Sequence, residues 1–307
     1  MREGGCFDYA EPQGIIMLKS ITRNGFSLVG LLMVLVIMVI LMSISFTSMN
    51  KTMTGEGSAK ELTVRSMEDK LNLYALAQSL MVEAMNEGGR FPVPSAIAAK
   101  GPGDEEWDGS GRGNRRGGRG EPEGDVSLNT TANLFSVLVM KRLINPEQLI
   151  SGNEFSGYVE PYEHYNYGAY RPGEGVFWDP GFRADLAYLS HTSFAHVPLR
   201  GERWRKYWLA HGSSRFPILG NRGPKDGVLE PNSYTIGRNG EWGGHLVFAD
   251  GHIEFQATTE MSGLNYTQEG TMIPDNLFRM EKGSDGTDAI LSFTKAMKRE
   301  EVELQFD

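Results

Sequence analysis

The residues whose types and spacing could do chemistry lie late in the chain: His245, Asp250, His252 and Glu254. Imidazole and carboxylate groups this close together are what a transition metal takes as ligands, provided the side chains converge. His245, His252 and Glu254 point the same way if the stretch is two strands around Asp250-Gly251. Asp250, however, is already needed as the turn residue, because Asp tolerates positive φ, and no third histidine is spaced to complete the set. The loop Gly283-Ser-Asp-Gly-Thr-Asp288 offers Asp285 and Asp288 to calcium, without the spacing or terminal glutamate of an EF-hand. Those two carboxylates are the remaining metal candidates, with calcium the ion they would suit, and no other cofactor is expected. For catalysis there is no Gly-x-Ser-x-Gly elbow, His-Glu-x-x-His pair, phosphate-cradling Gly-x-x-x-x-Gly-Lys or Rossmann fingerprint. The 6 histidines are scattered, and the chain is not expected to be an enzyme.

Those groups must be positioned by a hairpin. His245-Leu-Val-Phe-Ala, Asp250-Gly251 and His252-Ile-Glu-Phe-Gln read as two strands around an Asp-Gly two-residue turn. The expected pairs are Ala249 with His252, Phe248 with Ile253, Val247 with Glu254 and Leu246 with Phe255. Leu246, Phe248, Ile253 and Phe255 then share one face, and His245, Val247, Ala249, His252 and Glu254 the other. Upstream, Leu186–Ser190, Ser193–Val197 and Arg215–Leu219 are strand candidates, while Trp204–Gly212 is either a helical turn or a loop. Thr131–Leu143 reads as a helix capped by Asn129 or Thr130. Tyr158–Trp178 is dense in aromatic residues, which either pack irregular segments or offer a sugar platform together with Trp204 and Trp208. Leu62, Met67, Leu71, Tyr74, Leu76, Leu80 and Met81 recur at helical spacings, so residues 51–90 read as one amphipathic helix ending near Gly88-Gly89. Residues 100–125 are Gly-rich, mixed in charge and nearly free of aliphatics, and are expected to be a disordered loop. The arginines from Arg112 to Arg119 imitate a nucleic-acid tract, but acidic residues flank them and the net charge is −9, which excludes a general nucleic-acid binder.

A different chemistry is written at the N-terminus, where the chain itself reads as the substrate. Lys19 and Arg23 precede Gly25 and Phe26, and from Phe26 to Asn50 there is neither charge nor proline. That run suits a hydrocarbon core of roughly 30 Å. It is too long for an ordinary secretory signal peptide, and its only good cleavage glycine lies before it. This segment resembles the N-terminus of type IV prepilins and type II secretion pseudopilins. The resemblance implies that a prepilin peptidase cuts after Gly25 and methylates Phe26. It departs from the family at Gly30, where most members carry a glutamate thought to pair with a neighbour's N-terminal amine, so a tip, initiator or non-filament role gains weight. In lipid, helix packing rewards small residues, and Gly30, Ser43, Ser45 and Ser48 are the candidates for close approach. Met17 is an alternative start that would give a shorter leader. The only cysteine, Cys6, precedes the cut, so the mature chain has no disulfide and relies on core burial.

Ser233–Phe255, SYTIGRNGEWGGHLVFADGHIEF, carries a second resemblance. It looks like the C-terminal signature of a prepilin-like family abundant in planctomycete-type bacteria, with Phe248, Asp250, Gly251 and His252 as the matching hairpin. The histidine for which that family is named falls ten residues before Asp250, where this chain has Gly240. Together these readings divide the chain into a leader (1–25), a transmembrane helix (26–50), an amphipathic helix (51–90), the Gly/Arg-rich loop (100–125) and an exported domain (126–307). The expected fold class is α+β: a long N-terminal pilin-like helix, half in membrane and half amphipathic, with a loop-rich exported domain containing a small antiparallel sheet. The expected function is that of a prepilin-like (pseudopilin) subunit assembling into, or capping, a type II secretion or type IV pilus-like structure. Its partners would be the prepilin peptidase, other pilin-like subunits and inner-membrane assembly proteins. It would sit in the inner membrane as a single pass, with a cytoplasmic N-terminus. The alternative is a membrane-tethered, exported glycan- or cell-wall-binding module.

Overall fold

Helix α1, Ser58–Asn86, opens the computed structural model, which describes residues 58–100, 122–230, 233–237, 241–298 and 301–307, with side chains from residue 64 onward. Its sequence contains neither Gly nor Pro and is rich in Ala, Leu, Met and Glu, all good helix formers. It ends where Gly88 and Gly89 adopt φ of 65° and 85°. The Gly89 N–H reaches back to the Ala84 carbonyl at 2.8 Å, a Schellman-type closure of the last turn. Leu73, Leu76, Ala77, Leu80 and Ala84 bury one face.

The chain continues through α2 (Pro94–Ala99), α3 (Thr131–Met140), β1 (Ala184–Asp185), β2 (Leu189–Ser190) and β3 (Phe194–His196). Then come α4 (Gly201–Tyr207), β4 (Pro217–Asn221), β5 (Gly244–Phe248), β6 (Ile253–Gln256), β7 (Glu260–Gln268), β8 (Thr271–Asn276), β9 (Phe293–Met297) and β10 (Val302–Gln305). Strands β3-β4-β5-β6 form an antiparallel sheet in that order, and α1 packs against β5 and β6. A bridge between His196 and Ser292 carries the β3 edge on to the β9/β10 hairpin. Every residue of β4 and β5 is buried, so both faces of these strands are covered and apolar residues run on rather than alternate. Aromatic edges close the core: Phe91 on Trp208 at 5.4 Å and Trp242 on Phe278 at 4.8 Å. Residues Gly57–Asp307 make one compact unit.

Three expectations need correction. The fold class is overturned: the described residues are mixed helix and sheet, rich in sheet, with no long apolar helix in place of the pilin-like helix and small sheet. Among the described residues no helix is long and apolar enough to cross a membrane. The stretch 26–50, with Gly25, Phe26, Gly30, Ser43, Ser45 and Ser48, lies outside the described residues, as do most of the 100–125 loop and Gly240. The hairpin sits where expected, but its register is one residue off: His245 opposes Phe255, Leu246 opposes Glu254 and Val247 opposes Ile253. Gly251 takes φ 87°, and a left-handed residue after the turn makes a three-residue loop instead of two. A one-residue slip flips every side chain of one strand, so Ile253 and Phe255 join His245 while Glu254 moves to the opposite face. The third correction concerns α1. Met67, Leu71 and Tyr74 are exposed and Leu76 and Leu80 are buried, so the expected stripe merges two faces. At α3, the Thr130 hydroxyl caps the helix, accepting from the Asn133 N–H at 3.3 Å. Asn129 is buried and accepts from the Ser95 N–H at 2.9 Å. The undecided Trp204–Gly212 stretch contributes its first residues to α4.

Candidate functional site

The Asp250-Gly251 turn lies against α1. The Gly251 N–H donates to the Phe248 carbonyl at 2.8 Å, and the Phe248 N–H to the His252 carbonyl at 3.1 Å. A Cβ on Gly251 would stand 3.1 Å from the Met81 Cε, so glycine here serves both its positive φ and the approach of the helix. The His252 ring stacks on Phe248, with centroids 4.2 Å apart, and its Nδ1 pairs with Asp250. Partial burial works to raise the Asp250 pKa, but hydrogen bonds from His252 outweigh it and hold the carboxyl below its usual value. His252 Nε2 lies 3.6 Å from Glu254. His245 is not with them.

His245 points instead into a buried polar node on α1. Asp69, 0% exposed, sits in phase with Leu73, Leu76 and Leu80 on the buried face of the helix. Its Oδ2 bonds His245 Nδ1 at 2.7 Å, and its Oδ1 accepts from Asn221 Nδ2 at 2.9 Å and from the Ser151 hydroxyl. Asn221 uses both ends of its amide: its Oδ1 takes the His245 N–H at 2.7 Å, and its Nδ2 also reaches the Tyr234 hydroxyl at 3.0 Å. The Tyr234 hydroxyl meets Ser151 Oγ at 2.8 Å. Burial, and after it the Asp69 charge, pushes the Tyr234 pKa well above its ordinary value, so the phenol keeps its proton.

A second layer backs this node. Arg222 Nη2 pairs with Glu154 at 3.0 Å and with Asp307 at 3.3 Å, and its guanidinium lies 5.5 Å from the Tyr234 ring centroid. Asp307 accepts the Tyr234 N–H, and Ser193 donates to Glu154 at 2.8 Å. Burial raises the Asp307 pKa, and Arg222 works against that rise.

An aspartate on the Nδ1 of a buried histidine is the arrangement that orients an imidazole for base catalysis. Here the serine sits on Asp69 rather than near His245 Nε2, and the edge of Phe255 lies 5.4 Å from the imidazole. The groups satisfy one another, and the arrangement fixes a helix to a sheet. Removing one partner from such a buried cluster costs far more than the cluster contributes as a whole.

No protein-family model, curated protein or solved structure matches the chain. Its functional reading therefore rests on its own residues.

The calcium candidates are engaged by arginines. Arg203 and Asp288, both fully buried, form an ion pair, and Arg203 also donates to the Asp288, Gly283 and Ser284 carbonyls at 2.8, 3.0 and 3.1 Å. Asp285 accepts from Arg200 Nε at 2.6 Å. Beside them, burial lifts Asp275 and Glu281 each to about 7. No cluster of three or more His, Cys, Asp or Glu side chains suited to a metal occurs among the described residues.

The aromatic stretch divides. Tyr165 is buried, its hydroxyl bonded to Ser136, and burial raises it to about 12. Tyr158 and Tyr170 are exposed. Phe177, Trp178 and Phe182 line an open cleft of about 450 Å³ together with Arg183, Asp185 and Lys295. The Trp178 indole N–H is held by Asn133 at 2.9 Å. Trp208 is fully buried in the core and is not part of that cleft.

The residues that organise the site, Asp69, Ser151, Asn221 and Tyr234, are absent from the sequence reading. One trace of them was available: Asp69 is an acid in step with the Leu73-Leu76-Leu80 stripe, as Glu83 is at its other end, and a charge in phase with a buried face needs a partner.

Proposed function

We propose that this chain is a prepilin-like subunit that works by assembly rather than catalysis. The peptide bond between Gly25 and Phe26 is cut, the new N-terminus is methylated, and the charge-free run from Phe26 to Asn50 anchors the protein in the inner membrane. The observation that carries the reading is the junction Arg23-Asn24-Gly25-Phe26 followed at once by that run. The geometry of the following unit is consistent with it. Asp69 and His245, where α1 meets the sheet, are consumed in holding the helix, which suits a structural subunit. Gly30 in place of the usual glutamate favours a tip or capping position over a filament body. Prepilin peptidase, other pilin-like subunits and inner-membrane assembly proteins are the partners.

Intact-mass and N-terminal peptide analysis of membranes tests this directly. A chain beginning at N-methylated Phe26 is the expected result, whereas an intact leader or a cut after Met49 overturns it.

A second reading, a tethered glycan- or cell-wall-binding module, is favoured by one observation, the aromatic cleft at Phe177, Trp178 and Phe182. It expects binding of the full chain to polysaccharide that Trp178→Ala weakens.

A further inference from the structure

Helix α1 has two apolar faces, and only one is used inside the unit. Val64, Met67, Leu71, Tyr74, Val82 and Met85 all face solvent, with Val64, Leu71 and Met85 at 64%, 65% and 78% exposure. With the exposed Gln78 they follow one another at steps of three and four residues, the 3.5-residue spacing of a coiled-coil seam. The buried face, Asp69-Leu73-Leu76-Leu80, runs along the other side of the helix.

We infer that this stripe is a seam that packs in parallel, and in register, against the same helix of a second copy of the chain. Three observations select that occupant. The exposed side chains amount to on the order of 600 Å² of mostly apolar surface, at the upper limit of what monomers leave uncovered. That approaches the roughly 800 Å² per partner of a standard interface. The heptad spacing is complementary to itself, because the knobs of one stripe enter the holes of an identical one. Gln78 interrupts the stripe, and a lone amide in a seam is satisfied by its own counterpart across a two-fold axis while costing energy against lipid or a purely apolar partner. The flanks agree. Glu68 borders one side of the stripe and Lys70 the other, both exposed, so neither flank sets a like charge against its counterpart in a parallel copy, where the heptad places Lys70 opposite Ala75 and Glu68 opposite Thr63. The parallel direction rests on the proposed function, in which both copies are anchored on the N-terminal side; the seam itself rests on the exposed stripe.

Cysteine cross-linking reads the seam. In a full-length Cys6→Ser background, Val64→Cys, Leu71→Cys and Met85→Cys are made singly and oxidised in membranes, with Tyr188→Cys, exposed between β1 and β2 and outside the stripe, as control. Because the three positions are exposed, thermal unfolding of each variant should match the parent. A parallel seam in register gives covalent homodimer at all three positions, about ten-fold or more above the Tyr188→Cys control, through the raised effective concentration of paired thiols. Homodimer at none of the three, a cross-link only when Val64→Cys and Met85→Cys are mixed, or capture of a different protein by Leu71→Cys each overturns the inference. The N-terminal residue measured on the same membranes separates the two claims. Homodimers with an intact leader keep the seam and sink the processed-subunit reading, and N-methylated Phe26 without homodimers does the reverse.

Discussion

Replacing Asp69 with alanine is the sharpest perturbation of the α1 node. The carboxylate accepts three side-chain donors: His245 Nδ1 at 2.7 Å, Asn221 Nδ2 at 2.9 Å and the Ser151 hydroxyl. After truncation, Asn221 and Ser151 each retain the Tyr234 hydroxyl, so their loss is partial. His245 Nδ1 loses its only side-chain acceptor in a site that is 5% exposed. One stranded donor at about 1–3 kcal/mol, two weakened ones and a small void together cost about 4 kcal/mol. In a unit of this size that lowers Tm by about 12 °C. Asp69→Asn preserves the shape and one acceptor oxygen, and should cost about 1–2 kcal/mol. Urea and thermal unfolding of the full chain, followed by circular dichroism, measure both. A loss below about 1 kcal/mol for Asp69→Ala would refute the claim that this node holds α1 on the sheet.

Two pH dependences follow, with opposite signs. Burial lowers the His196 pKa to about 4; its Nδ1–H donates to the Val197 carbonyl at 2.7 Å, and its Nε2 meets the Thr131 hydroxyl at 2.9 Å. The unfolded chain takes up that proton near pH 6.5, so the stability from His196 is complete above that pH. About 3 kcal/mol is lost as pH falls toward 4; Tm measured against pH should show this fall, and His196→Asn should flatten it. Burial, reinforced by Asp288, raises Asp275 to about 7, against the pull of the Ala289 N–H and Arg203. A carboxyl raised in the folded state contributes fully below its unfolded pKa and loses that contribution as pH rises through about 7. Asp275→Asn should therefore gain on the parent by on the order of 2 kcal/mol between pH 5 and 8, with no such gain near pH 3; urea unfolding at the three pH values reads it.

The sequence revealed elements closed by local signals and missed those closed over distance. The Asp250-Gly251 turn, the α3 cap at Thr130 and the end of α1 at Gly88-Gly89 are each decided by a few adjacent residues, and each was legible. The hairpin register was not, because Asp-Gly is compatible with both a two- and a three-residue loop, and Ile253 and Phe255 are apolar enough for either face. Strands β7 to β10 escaped notice because β7 carries Asn265 and Gln268, and β9 carries Lys295, in place of a clean alternation. The two-faced α1 reads as one broad stripe until burial separates Leu71 from Leu73. The node was hidden for a simpler reason: 176 residues separate Asp69 from His245, and no spacing rule spans such a gap.

That separation also sets an order of events. A chain made from its N-terminus onward releases α1 first, while Ser151, Asn221 and His245 follow 82, 152 and 176 residues after Asp69. Until Ser151, Asn221 and finally His245 arrive, α1 carries at the N-terminal end of its apolar face an acid whose partners are still to be made. A half-made chain therefore lacks the surface on which its helix seats, because the last bond to Asp69 comes from β5, one of the two strands α1 packs against. The slow, long-range closure this implies leaves both apolar stripes of α1 bare during synthesis, and the carboxylate keeps the inner one from sticking before its proper surface exists.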